Sequence, residues 1–319
     1  MSKKTLAWVA IIVTTVIWAS SLIFAKIVFE HDGMTPIVFV ALRYTIASPF
    51  LVVVARFARK DADRVWSLKD NWKILLIVGV SGPFLSQILQ YIGLNMTTAG
   101  ETLLLLNLSP VFAVIIAAPV LKERISSEKI IGLFFAVLGA TLIVMGGNSI
   151  DVGFDVVRLL GDAIIIISTL LFAINGVTGK IAVKSIDAIS VTLYSTLFAV
   201  PFIWLSAAIM EDLTILFHLS ILTWTIMLWV GTINTALAFS LYYLAMEHIE
   251  ASNVQIALSL IGVWGVLMAV TVLGESPSWF QIIGGVLTIL GVIIVQRIRK
   301  KPKLISDSTS MKSTTLTSS

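Results

Sequence analysis

Three polar side chains share one face of an otherwise apolar stretch: Gln87, Gln90 and Tyr91. Their spacing of three and four residues places them on the same side of a helix. Inside a membrane, amides and phenols either line a cavity that takes up a polar solute or bond a neighbouring helix. We expect cavity lining, with interhelical bonding as the alternative.

Other polar or amphipathic residues lie at a similar depth in apolar runs, and we expect them to face the same cavity. Three residues share one face of a later helix, namely Gln255, Ser259 and Gly262. The remaining candidates are Trp18, Ser21, Asn107, Asn175, Asn234, Tyr242, Asn253 and Trp264.

Two charged residues are harder to explain as surface groups. Arg43 lies about eight residues, or roughly 12 Å, inside its helix. It is either a structural anchor or a contact for an anionic group of a substrate. Glu101 lies one turn inside an apolar run, where it is either a proton site or a helix-start acid capped by Thr97 or Thr98. Asp162 poses the same choice, and there the helix-start interpretation is the stronger one.

Two helices carry weak points at matching depth. Asn107, Ser109 and Pro110 interrupt one, and Gly262 lies at the corresponding place in another. Proline removes a helical hydrogen bond and glycine adds backbone freedom, so Pro110 and Gly262 are candidate hinges. Static kinks that only shape the cavity are the alternative.

The sequence offers little for catalysis. His31, His218 and His248 fall in predicted loops without the spacing that holds a metal, and cysteine is absent. No Gly-x-x-x-x-Gly-Lys loop is present, so no built-in ATP motor is expected. We predict no enzyme activity, no metal and no cofactor.

Composition places the chain in a membrane, because 58% of its 319 residues are hydrophobic, 13% are charged and the mean hydropathy is +1.00. Long uncharged runs reach the roughly 20 residues that a spanning helix needs. We therefore predict an all-α integral membrane protein with ten transmembrane helices. The predicted spans are 5–28, 35–55, 72–92, 98–121, 129–146, 159–180, 188–210, 221–246, 251–273 and 279–295.

An internal duplication organises these spans. Residues 72–144 align without a gap on residues 224–296, at an offset of 152, and only the opening helix slips by two. Five spans per copy is an odd number, so the two copies must cross the membrane in opposite directions. We predict two inverted five-helix repeats, at 1–147 and 158–297, and a disordered cytoplasmic tail at 298–319.

The distribution of positive charge predicts the orientation. With the N-terminus inside, nineteen of the 22 Lys and Arg residues fall in cytoplasmic segments. We expect a multi-pass protein of the plasma membrane with both termini in the cytoplasm. The net charge of +4 is therefore a topology signal, and no nucleic-acid partner is expected.

One segment resembles a known family. Residues 110–125, PVFAVIIAAPVLKERI, with Gly132 and Gly139 beyond them, are similar to the signature of EamA-like carriers in the drug/metabolite transporter superfamily. The signature recurs in the second copy around Glu275, and the resemblance extends over residues 5–297. It implies ten helices in two inverted repeats, a central cavity lined mainly by the first, third and fourth helices and their mates, and ATP-independent movement of metabolites. Gly262 departs from it by replacing the mid-helix proline, and Glu101 is not expected from it.

These observations together predict a secondary transporter that works by alternating access and exports amino acids or related small metabolites, by uniport or proton exchange. The alternatives are a multidrug efflux carrier and a membrane receptor or scaffold that transports nothing. A lipid enzyme is a more distant alternative. The expected partners are a small-molecule metabolite and the lipid bilayer, with the protein as a monomer or weak homodimer.

Overall fold

The computed structural model describes residues 3–58, 68–109, 111–113, 115–116, 127–147, 155–248, 254, 257–258 and 260–297. Regular structure within these residues is helical throughout, without a β-strand. The predicted hinge at Pro110 and the predicted site residues Asn253, Gln255 and Ser259 lie outside them, as does the tail.

The described helices follow one another with short connections. In the first half they are α1 (Lys3–Asp32), α2 (Pro36–Ala58), α3 (Leu68–Gly79), α4 (Gln87–Met96), α5 (Ala99–Leu106) and α6 (Ser127–Gly147). In the second half they are α7 (Val156–Ala182), α8 (Ala188–Met210), α9 (Ile221–Trp229), α10 (Ala238–His248), α11 (Leu260–Leu273) and α12 (Trp279–Arg297). A 3₁₀ turn, Leu213–Phe217, joins α8 to α9.

Six described helical stretches are long and apolar enough to cross a membrane. They are Thr5–Asp32, Pro36–Arg56, Asn71–Met96, Val156–Ala182, Ala188–Met210 and Ile221–His248. Shorter apolar helices occupy Ala99–Ala113, Ile130–Gly139, Leu260–Leu273 and Trp279–Gly291. The prediction of an all-helical, multi-pass membrane protein is confirmed at this level.

Two helices widen into π-helical turns near their middle. Segment π1 (Val80–Ser86) continues α3 into α4, and segment π2 (Val230–Leu237) continues α9 into α10. In π1, Pro83 has no N–H to give to the regular ladder. In π2, the Thr235 hydroxyl donates to the Val230 carbonyl five residues back, at 2.9 Å. Such turns interrupt the regular hydrogen bonds of the α-helix and leave backbone groups that can bond to other helices.

Small residues bring helices into close contact. A Cβ atom built on Gly139 of α6 would lie 2.5 Å from the Gly284 carbonyl oxygen and 2.4 Å from the Thr288 hydroxyl, both on α12. Helices in lipid associate through such small faces because burial of apolar surface provides little driving force there. Large apolar side chains such as Phe134 and Leu205 are exposed on the outside of the bundle. They are the surface that the hydrocarbon of the bilayer would cover.

Candidate functional site

A cavity of about 70 Å³ lies among the helices, which is enough to hold a few water molecules. Residues from both halves of the chain line it. They are Trp18, Ser21, Leu22, Arg43, Gln87, Gln90, Tyr91, Leu106, Asn107, Ser109, Phe172, Phe239, Leu258 and Ile261.

Arg43 of α2 is the charged residue on this wall, and its side chain is only 2% exposed. Its Nε atom donates to the Thr235 hydroxyl at 2.6 Å. Its Nη1 atom donates to Gln87 Oε1 at 2.9 Å and to the Tyr91 hydroxyl at 2.5 Å. The guanidinium is therefore fixed by α4 and π2 and still borders the cavity.

The hydrogen-bond partners of Arg43 among the described residues are all neutral. Within the part of the chain that the structure describes, no carboxylate lies within ion-pair distance of the guanidinium. A buried positive charge without a counter-ion is unfavourable even when its hydrogen bonds are satisfied. The cavity therefore offers a fixed cation to any anionic group that enters it.

Hydrogen bonds extend this network along α1 and α4. The hydroxyls of Ser21 and Tyr91 lie 2.7 Å apart, and Gln87 Nε2 donates to Gln90 Oε1 at 3.3 Å. All four side chains are buried. The polar face predicted for residues 87, 90 and 91 therefore points toward the cavity and also bonds neighbouring helices, so both of its proposed roles are compatible with the geometry.

The end of α5 adds polar groups to the cavity wall. Helix α5 ends at Leu106, and the N–H groups of Asn107 and Leu108 bond only three residues back, at 3.1 and 3.0 Å. This tightening turns Asn107 and Ser109 toward the cavity. The Ser109 hydroxyl is buried and has no hydrogen-bond partner in the structure, so it is free to bind a solute.

Aromatic rings form another part of the cavity wall. The Trp18 ring contacts Phe172 and Phe239, with centroids 5.8 and 4.9 Å apart, and its Nε1 donates to the Asn234 carbonyl at 3.1 Å. The Tyr242 ring is tilted by 48° against the Trp18 ring, with the two centroids 5.3 Å apart. The site thus combines an apolar aromatic wall with a fixed cation and several neutral polar groups.

Seven of the predicted site residues border the cavity: Trp18, Ser21, Arg43, Gln87, Gln90, Tyr91 and Asn107. Four others lie outside its wall. The Asn175 amide donates to the Val78 carbonyl at 2.9 Å, and the Asn234 amide donates to the Ser20 hydroxyl at 3.4 Å. Tyr242 and Trp264 hold a buried polar atom without a partner in the structure, at the hydroxyl and the indole Nε1.

Glu101 lies away from the cavity. Its Oε2 atom accepts from Arg158 Nε at 2.7 Å and from the Thr97 hydroxyl at 2.8 Å. Thr98 caps α5, because its side chain accepts from the Glu101 N–H at 3.1 Å. The cap predicted for this helix start is present, and the Glu101 carboxylate forms an ion pair as well.

Gly262 lies inside α11, where its missing side chain makes room for α5. A Cβ atom there would lie 2.2 Å from Nδ2 of Asn107. The glycine at position 262 therefore has two explanations. One is the predicted hinge, and the other is close packing against Asn107, which the sequence did not suggest.

The cavity also holds residues that the predicted site did not include: Leu22, Leu106, Ser109, Phe172, Phe239, Leu258 and Ile261. A signal existed for two of them. Phe172 follows Trp18 by the 154 residues that relate the opening helices of the two copies, and Phe239 is the repeat mate of Gln87. The aliphatic residues Leu22, Leu106, Leu258 and Ile261 have no sequence feature that separates a cavity wall from ordinary packing.

The described residues hold no group of three His, Asp or Glu side chains placed to bind a metal ion. Fold and cavity together define a multi-pass, all-helical membrane protein with a small internal cavity. The family model of the EamA-like transporter family matches residues 5–145 and again residues 159–297. The chain belongs to this family of membrane transporters.

Relatives with similar sequences are named as transporters. An "Uncharacterized transporter" of Archaeoglobus fulgidus is 28% identical over 298 residues, which is 92% of this chain and 98% of the relative. The "Probable terminal-alkyne amino-acid exporter" of Streptantibioticus cattleyicolor is 25% identical, over 93% of this chain and 95% of the relative. A solved crystal structure matches with a TM-score of 0.65 at 16% identity, over 94% of this chain and 99% of the other. That likeness shows the fold alone.

Proposed function

We propose that this protein is a secondary, ATP-independent transporter that moves amino acids or related small carboxylates through the Arg43 cavity by alternating access. The observation that carries the proposal is the buried guanidinium, which borders the cavity and has only neutral partners among the described residues. A substrate carboxylate would supply the missing negative charge and could form two hydrogen bonds with the guanidinium.

The other walls suit the rest of an amino acid. The Ser109 hydroxyl and the Gln90 amide offer hydrogen bonds to an ammonium or polar group, and Trp18 with Phe172 offers an apolar face to a side chain. A cationic drug would instead place its charge beside Arg43 in a site of low polarity. The cavity therefore favours carboxylates over cationic drugs.

We further propose ten spanning helices arranged as two inverted repeats, and contacts repeated across the two halves support this arrangement. The Ser21 and Tyr91 hydroxyls lie 2.7 Å apart, and the Tyr243 hydroxyl donates to Asn175 Oδ1 at 3.3 Å. Asn175 follows Ser21 by 154 residues, and Tyr243 follows Tyr91 by 152.

A second pair of contacts has the same relationship. The Ser168 hydroxyl donates to the Ser86 carbonyl at 2.7 Å, and the Thr14 hydroxyl approaches the Ala238 carbonyl at 3.5 Å. The π-turns also coincide, because π1 moved by 152 residues overlaps π2. Inverted repeats of this kind give a carrier two conformations of similar energy, which open one central site to opposite sides of the membrane.

Direction and location complete the proposal. The S. cattleyicolor relative is named a probable exporter, and the positive charges in the segments that would face the cytoplasm agree with a plasma-membrane protein whose termini are both inside. We therefore propose export across the plasma membrane by a monomer or weak homodimer.

Counterflow in proteoliposomes tests the function. Vesicles loaded with one unlabelled amino acid are diluted into a trace of the same labelled amino acid, for each of the twenty standard amino acids. We expect transient accumulation of at least one of them with the wild type, a severalfold smaller accumulation with Arg43→Gln, and none with empty vesicles. Failure of all twenty would overturn the amino-acid assignment, and it would favour a receptor or scaffold.

A further inference from the structure

Two buried carboxyl groups lie together where α5 and α7 begin. Glu101 and Asp162 are each 1% exposed. Glu101 is bound by Arg158 and Thr97, as described above. Asp162 lies beside Glu101, Arg158 and Thr97. In the described part of the chain neither of its oxygens accepts a hydrogen bond, because the Thr97 hydroxyl and the Arg158 Nε donate to Glu101 instead. The second oxygen of Glu101, Oε1, is likewise buried without a donor.

The charges around this pair do not balance. Arg158 is already committed to Glu101, through contacts of 2.7 and 2.5 Å. Lys26 of α1 is half-buried and interacts with Glu275 and Glu30 rather than with Asp162. Glu275 is held by the N–H groups at the start of α5, at 2.9 Å each. Of the buried carboxyl groups at this site, Asp162 thus forms no ion pair of its own, and it shares the single charge of Arg158 with Glu101.

Other helices packed against α7 bring no further charge to Asp162. Tyr91 is the titratable residue of α4, and its hydroxyl is engaged by Ser21 and Arg43. Charged residues of α3 and α10 have contacts elsewhere, because Lys73 Nζ lies over the Trp72 ring and the Glu247 carboxylate accepts from the Ala188 N–H at 2.9 Å. Helix α6 carries its charged residues in its first turn. An ionised carboxylate with no donor and no cation is strongly unfavourable away from water, whereas a neutral carboxyl group is tolerated.

We propose that the Glu101–Asp162 pair binds one proton and that the substrate is exported in exchange for it. In this conformation of the protein, Asp162 carries the proton. On release, the O–H bond of Asp162 breaks, the proton passes to water on one side of the membrane, and a carboxylate remains. The inference rests on the proposed transport function and adds the coupling ion to it.

The pair is mechanically connected to the cavity. On α5, Leu106 of the cavity wall lies five residues, or about 7.5 Å, beyond Glu101. On α7, Phe172 lies ten residues, or about 15 Å, beyond Asp162. A movement of either helix that opens the cavity to one side also changes the packing around Asp162. Proton release and substrate release can therefore be linked through two rigid elements.

A vesicle experiment separates this proposal from the transport function itself. Counterflow of the amino acid found active is measured with and without an imposed pH gradient, in wild type, Asp162→Asn and Asp155→Asn. Asparagine imitates the neutral carboxyl, and Asp155 is the exposed cap of α7, where asparagine also caps well. Wild type and Asp155→Asn should be accelerated severalfold by the gradient, whereas Asp162→Asn should keep counterflow and lose the acceleration.

Each failure has its own meaning. Loss of counterflow in the wild type would overturn the proposed function. If the pH gradient does not change the counterflow rate in the wild type, or if it still accelerates counterflow in Asp162→Asn, the proton site alone would be overturned. Infrared spectra of the wild type provide a test that needs no substrate and no variant. The carbonyl stretch of a neutral, buried carboxylic acid should be present at pH 7, and its absence would also overturn the proposal.

Discussion

The guanidinium of Arg43 and the hydroxyl of Tyr91 lie 2.5 Å apart, joining α2 to α4 at the edge of the cavity. The same hydroxyl contacts Ser21 of α1 at 2.7 Å. Tyr91 therefore fixes the direction in which Arg43 presents its charge. Binding of a carboxylate should depend on this tyrosine even though its ring is fully buried.

Two buried tyrosines provide a matched test of whether Tyr91 positions Arg43 for substrate binding. Tyr91→Phe removes a hydroxyl with two partners, whereas Tyr242→Phe removes one that has no partner in the structure. A hydrogen bond to a charged group contributes about 1.5–3 kcal/mol, so Tyr91→Phe should weaken substrate binding by about tenfold. Tyr242→Phe should behave like the wild type. Concentration dependence of counterflow measures both, and equal losses in the two variants would refute the positioning role of Tyr91.

Replacement of Gln90 tests whether the polar face of α4 contacts the substrate. Gln90→Leu keeps the size of the side chain and removes its amide from the cavity wall. Transport should fall severalfold while the melting temperature changes little. Gln281→Leu is the control, because Gln281 is equally buried but caps α12 by accepting from the Ser278 N–H at 2.8 Å. The control should lose stability and keep its apparent substrate affinity, and the reverse pattern would make Gln90 an interhelical contact.

A double mutant separates the two explanations of Gly262. In Gly262→Ala the added methyl group would clash with the amide of Asn107, which borders the cavity, so transport should fall severalfold. If the loss of transport comes from the clash with Asn107, Asn107→Ala in the same chain should restore much of the lost rate, because it removes the clash. If Gly262 acts as a hinge, the second change should restore nothing. Transport rates of both single variants and the double variant decide between packing and hinge.

Cysteine labelling tests the proposed orientation, since the native chain contains no cysteine. Ser67 lies in the predicted cytoplasmic loop, and Asp212 lies exposed between α8 and α9 on the predicted outer side. An impermeant thiol reagent added to intact cells should label Asp212→Cys and leave Ser67→Cys unlabelled until the membrane is opened. Labelling of Ser67→Cys in intact cells would reverse the proposed topology.

Much of the fold could be predicted from sequence because hydrocarbon imposes simple requirements. Apolar runs and short polar breaks indicated the helices, and the spacing of Gln87, Gln90 and Tyr91 indicated which face of one helix is polar. The depth of Arg43 indicated burial, because a charge at that level must face protein or water.

The remaining features depend on contacts between distant residues. The π-turn at Thr235 is supported by a bond to Val230 and by Arg43, which is 192 residues away. Asn175 appeared suited to a cavity, but its amide fills the space left by Gly82, where a Cβ atom would lie 2.3 Å from Nδ2. No local pattern distinguishes an amide that satisfies a freed carbonyl from one that awaits a substrate.

Competition between an amino acid and its own amide tests the central claim most directly. The amide has nearly the same size and side chain but lacks the negative charge that Arg43 would bind. In wild-type vesicles the amide should inhibit counterflow about tenfold more weakly than the acid, which corresponds to about 1.4 kcal/mol of binding free energy. The control variant Arg56→Gln, at an exposed position of the same helix, should show the same preference. In a variant that retains residual binding, Arg43→Gln, this preference should disappear. Equal inhibition by acid and amide in the wild type, or an unchanged preference in Arg43→Gln, would contradict carboxylate recognition by Arg43.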